Sequence, residues 1–114
     1  MNYLIDNASY QQNIEKIGLN VEDFVNENPV LLPLLVAAPA IIKKYIPDAT
    51  FELSHNTDFE EGNSTLYLTI FTDLHRKICK NHMLSLFGDV DFGPYMKNRE
   101  ICKIFAFTTE TRHN

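Results

Sequence analysis

Thirteen consecutive residues, Val30 to Ile42 (VLLPLLVAAPAII), carry no charge and no hydrogen-bonding side chain. A stretch this apolar has to be buried on most sides, in a bilayer or in a protein core. A crossing helix needs about 20 apolar residues, and this run is shorter and holds Pro33 and Pro39. A secretory signal is a poor reading of it because of its flank. The preceding 29 residues contain Asp6, Glu15, Glu22, Asp23 and Glu27 against Lys16 alone, the reverse of a cationic start. The run therefore predicts the central helix of a globular core, with Asn28 as cap and Pro29 at the first helical position, reaching about Tyr45. Pro39 should kink or split it, and Lys43 and Lys44 suit its negative end. Ile46-Pro47-Asp48-Ala49 reads as the closing turn.

One such helix in a chain of 114 residues, 45% of them hydrophobic, fits a single domain with one core. Residues 1–19 read as an N-terminal arm or short helix ending at Gly18, residues 20–108 as the core, and 109–114 as a tail. Asn20 followed by Val21-Glu22-Asp23-Phe24-Val25 has the pattern of an N-cap with acids in the first turn. Strands are expected at Phe51–His55, Thr65–Thr72 and Ile101–Thr108. A helix from about Leu74 to Phe87, capped by Thr72 or Asp73, lies between the last two and stops at Gly88. The order is α-α-β-β-α-β. It predicts an α+β two-layer sandwich with helices on one face of a three-stranded mixed sheet, an antiparallel hairpin first and a crossover return last. A strand at Tyr3–Ile5 would make the sheet four-stranded and ferredoxin-like.

On that sheet, Leu66, Leu68, Ile70 and Ile104 are expected to face the helices. Tyr67, Phe71, Phe105 and Phe107 then point outward, and an exposed aromatic face is an interface for a second copy or another protein unless the N-terminal residues cover it. Stacking of RNA bases is the weaker reading of the same face, with Arg76, Lys77 and Lys80 as the cations.

His75, Cys79 and His82 form a second constellation. At about 100° per residue they share one sector of the third helix, and all three residue types ligate zinc. Cys102 or His55 would have to supply a fourth ligand. The competing account places Ile78, Cys79, Met83 and Leu86 in a buried stripe with both histidines beside it. The acids Asp58, Glu60 and Glu61, and the pair Asp89 and Asp91, read as solvated loops. No serine sits in a nucleophile-elbow setting and no glycine-rich phosphate loop is present, so nothing points to an enzyme, a cofactor or a small-molecule substrate.

A net charge of -5 argues against nucleic acid or an anionic membrane as the main partner. The charge is uneven. Residues 1–63 hold 3 basic and 10 acidic side chains (-7), and residues 64–114 hold 7 and 5 (+2). Two cysteines make no disulfide framework, and with no export signal read in the sequence Cys79 and Cys102 are expected to be reduced thiols in the cytoplasm.

The stretch Phe24-Val25-Asn26-Glu27-Asn28-Pro29-Val30-Leu31-Leu32-Pro33-Leu34-Leu35, then Ile42-Lys43-Lys44-Tyr45-Ile46-Pro47-Asp48-Ala49, resembles a family of small bacterial proteins of undefined function common in cyanobacteria. The later Phe51-Glu52-Leu53, Thr72-Asp73-Leu74 and Leu86-Phe87-Gly88-Asp89 fit the same pattern, so the resemblance covers residues 21–108. The third helix departs from it in being basic and histidine-bearing. The resemblance implies no activity. The reading as a whole is a non-catalytic interaction or accessory domain acting as a homodimer, with a metal-binding protein as the alternative.

Overall fold

The computed structural model describes residues 9–58, 62–74 and 76–111, and of Ser9, Asp58 and residues 76–80 the backbone alone. A 3-10 turn at Ser9–Asn13 leads into the short strand β1 (Lys16–Ile17) and helix α1 (Val21–Glu27). A second 3-10 turn, Pro29–Leu31, precedes the long helix α2 (Leu32–Tyr45). Strands β2 (Thr50–Asp58) and β3 (Asn63–Thr72) form a hairpin. Helices α3 (Arg76–Phe87), α4 (Gly93–Met96) and α5 (Arg99–Ile104) then lead to β4 (Phe105–Thr111). The result is an α+β fold on a four-stranded mixed sheet in the order β1-β2-β3-β4.

The central apolar run behaves as burial demands. Leu34, Leu35, Ala38 and Ile42 are fully buried, with Phe51, Leu53, Leu66, Leu68 and Ile70 of the sheet beneath them. Pro39 does not split the helix: α2 is continuous through it, and the proline itself is buried. The break comes earlier, where Val21–Glu27 and Pro29–Tyr45 meet at 99°. Among the described residues no single helix is long and apolar enough to cross a membrane.

The caps work differently from the sequence expectation. Asn20 stands at the start of α1 with a left-handed φ of 65° and no side-chain cap; its backbone carbonyl accepts from Phe24 N–H at 3.0 Å. Asn28 does not cap the following segment with its side chain either. Its amide instead donates back to the Phe24 carbonyl at 2.9 Å and closes α1.

The hairpin is antiparallel as expected, but its ladder continues to Asp58 opposite Asn63, leaving 59–62 as the connection. The fourth strand is β1, parallel to β2 through Lys16 opposite Glu52 and Ile17 opposite Leu53. Parallel pairs at both rims and the order β1-β2-β3-β4 exclude a ferredoxin-like sheet; Tyr3–Ile5 lie outside the described residues.

The final strand begins at Phe105 rather than Ile101. Asn98 accepts from the N–H groups of Glu100 and Ile101 at 2.9 and 3.2 Å, an Asn N-cap that turns Arg99–Ile104 into a helix. This shift has a consequence for the aromatic face. Phe105 pairs with Leu66 and Phe107 with Leu68, so both phenylalanines lie on the helix-facing side of the sheet. Phe105 is 5% exposed and belongs to the core, and Phe107 packs against it. The outward placement of Phe105 and Phe107 is thereby corrected.

Candidate functional site

Three surfaces emerge from this arrangement: the outer sheet face, a pocket between α2 and α3, and the rim at β4. The outer face carries Glu52, Ser54, Tyr67, Thr69, Phe71, Ala106 and Thr108, by the strand register. Of the four aromatics expected there, only Tyr67 and Phe71 remain, each partly exposed. The hydroxyl of Thr108 donates to that of Thr69 at 2.9 Å, so the face is mainly polar around two rings.

The pocket, about 330 Å³, is lined by Lys44, Tyr45, Asn81, His82 and Ser85. Its cation and phenol come from the last turn of α2, where the run of apolar residues gives way to polar ones. Both are engaged by Asp89, in the turn after α3. Tyr45 donates its hydroxyl to Asp89 Oδ2 at 2.5 Å, and Lys44 Nζ lies 3.1 Å from the same oxygen and 3.8 Å from Asp91 Oδ2. Asp89 Oδ1 accepts from the Asp91 N–H at 2.8 Å. The Tyr45 hydrogen bond, with that N–H and Lys44 behind it, holds the Asp89 carboxyl down at about 2. The same contact pushes the Lys44 ammonium and the Tyr45 hydroxyl upward.

Asp89 is therefore not the solvated loop acid expected from its spacing. It is buried, and it ties the end of α3 to the end of α2. A carboxylate, phenol and ammonium that satisfy one another in this way serve to position the two helices. Asp48 plays a similar part at the sheet end, accepting from Thr72 Oγ1 at 2.6 Å and Asp73 N–H at 2.7 Å. Glu60 and Glu61 lie outside the described residues.

The zinc constellation is only partly in view. His75 and the side chain of Cys79 lie outside the described residues, and His82 lines the α2–α3 pocket. Of the two residues considered as a fourth ligand, His55 packs at a tilt against Phe24 with centroids 4.7 Å apart, and its Nε2 is buried without a hydrogen-bond partner among the described residues. Cys102 is exposed on α5, its thiol donating to the Met96 carbonyl at 3.1 Å. Among the described residues no three His, Cys, Asp or Glu side chains converge to hold a metal ion.

The rim at β4 was not singled out by sequence. Phe105, Phe107 and Phe92 pack ring to ring, and Phe87 of α3 closes the group 6.1 Å from Phe107. On α3 and in the turn after it large apolar side chains are exposed: Phe87 40%, Leu84 64% and Val90 84%. The signal was present in sequence. Leu84 and Phe87 are one turn apart and fall outside the stripe formed by Met83 and Leu86.

No family model, curated protein or solved structure matches the chain.

Proposed function

We propose that this protein is a non-catalytic interaction domain that acts as a homodimer. The observation that carries the reading is the exposure of Leu84, Phe87 and Val90 within seven residues of chain, continuous with the aromatic core through Phe87. Large apolar side chains grouped at a surface, unlike scattered ones, mark a surface meant to be covered. The non-catalytic half of the reading is supported by the Asp89 cluster, whose titratable groups are spent on one another. A free thiol at exposed Cys102 suits a reducing compartment, and the proposed location is the cytosol.

Light scattering on the full chain tests this directly. The expected mass is twice 13.2 kDa. A single-chain mass at every micromolar concentration would sink the homodimer reading.

A further inference from the structure

Resting on the homodimer reading, we infer that two copies join edge to edge through antiparallel pairing of β4, forming one continuous sheet with the two α3 helices facing each other above the seam. The first observation is the strand itself. β4 is the last strand in the sheet order and runs seven residues, Phe105–Thr111, without a proline or a lysine. Among the described residues its backbone bonds only to β3, so its outer N–H and C=O groups are open to a further strand.

The second observation is what stands over that edge. At 100° per residue, Met83 and Leu86 of α3 point into the core, while Asn81, His82 and Ser85 line the pocket toward α2. Leu84 and Phe87 occupy the remaining sector, away from α2 and above β4, where Phe87 meets Phe107. The exposed apolar side chains and the open backbone edge thus share one rim. A partner strand alone would satisfy the edge and leave Leu84 and Phe87 wet. A second copy brings its own α3 and covers both.

Charge and symmetry favour the antiparallel arrangement. Arg99, Glu100 and Lys103 precede the start of β4, with Lys103 the charge nearest the strand, and Glu110 lies near its end. Antiparallel pairing sets the Lys103 end of each strand beside the Glu110 end of the other, whereas parallel pairing would align like with like. A two-fold axis perpendicular to the sheet keeps the helix-facing side in common, so directly opposed residues share a face. Placing the axis at Phe107 sets that ring against its own copy and opposes Ala106 to Thr108, which extends the aromatic cluster across the seam. The joined sheet has twice the four strands of one chain.

The test uses the full chain and two kinds of variant. Leu84→Lys with Phe87→Lys, both at exposed positions, should raise the dimer dissociation constant by about 30-fold or more, the scale of a lost interface anchor. Circular dichroism of the monomer should not move, and its urea midpoint should fall only modestly, through the loss of Phe87's own contacts with Phe92 and Phe107. In a Cys79→Ser/Cys102→Ser background, Ala106→Cys mixed with Thr108→Cys should form a disulfide-linked pair faster than either variant alone. A mixture that crosslinks no faster than its components overturns the pairing. So does a dimer that tolerates both lysines yet falls apart on Tyr67→Ala with Phe71→Ala, because the outer sheet face would then be the contact while the homodimer reading stands. A wild-type chain that is monomeric throughout overturns both readings.

Discussion

The two rims of this sheet solve the same problem differently. At one rim β2 is covered by a strand of two residues, and the chain around that strand supplies the rest of the seal. Glu15 N–H donates to the Phe51 carbonyl at 3.0 Å, the Glu15 carboxylate accepts from Phe51 N–H at 2.9 Å, and Gly18 N–H reaches the Leu53 carbonyl at 2.9 Å. Tyr10 and Ile14, buried beside α2, fasten the segment to the core. At the other rim β4 is long, well anchored underneath and open along its outer edge. The contrast separates anchoring from covering. The β1 rim spends backbone and side-chain hydrogen bonds on closing an edge, while the β4 rim spends aromatic burial on holding a strand whose edge stays available.

That contrast breaks most visibly at Phe105. Removing a ring that is 5% exposed leaves a cavity beneath β4, and Phe105→Ala should cost about 3–5 kcal/mol in urea unfolding. A loss below about 1 kcal/mol would mean that β4 is not anchored through the core. The end of α3 is held by Asp89, and its variant is read by pH. The folded carboxyl sits at about 2, below its ordinary 3.8, so its stabilisation is complete above about pH 4 and fades as pH falls toward 2. Asp89→Asn should therefore melt well below wild type at pH 6, with the gap shrinking from pH 4 to pH 2. A gap that does not change with pH would show that the charge on Asp89 contributes nothing.

Much of this architecture was legible in the sequence, and the parts that were not have identifiable causes. The apolar run, the hairpin and the α+β layering follow from periodicity, because burial of one face leaves a pattern along the chain. The alternation of Phe105 and Phe107 against Ala106 was legible too, but alternation alone does not say which parity faces the core. Strand parity with Ile104 on the core side puts the phenylalanines outward, but Ile104 is the last residue of a helix capped by Asn98. Strand β1 has no period to detect in two residues; it exists because Glu15 and Gly18 meet β2. The Asp89 cluster joins residues 44 positions apart, and loop acids that pair at such range look in sequence like any solvated pair.

At the β1 rim the sharpest probe is Gly18. A Cβ there would stand 3.2 Å from the Leu53 carbonyl oxygen, on the backbone bond that extends the strand pairing. Gly18→Val should cost about 1–3 kcal/mol through this crowding, and amide exchange at residue 18, the donor of that bond, should speed up. If the variant were as stable as wild type, β1 would be ornament to the sheet and not its seal. Glu15→Ala is milder. It withdraws one acceptor from Phe51 N–H and leaves the Glu15 backbone bond in place, so about 0.5–1.5 kcal/mol is expected, with faster exchange confined to the Phe51 amide.

The smallest effect belongs to the open rim. Thr108 is exposed, and its hydroxyl meets Thr69 across the outer face of the β3–β4 pair. Thr108→Val keeps the branched shape that suits a strand and removes one exposed hydroxyl contact, worth about 0.2–1 kcal/mol. Because the contact lies within one chain, the change should leave the dimer dissociation constant where it was. Monomer stability from urea titration and the dissociation constant from dilution series separate the two quantities. A Thr108→Val chain that loses dimer affinity while keeping its urea midpoint would mean that the Thr108 hydroxyl is used across the seam, and that anchoring and covering at β4 are not as separate as the comparison of the two rims makes them.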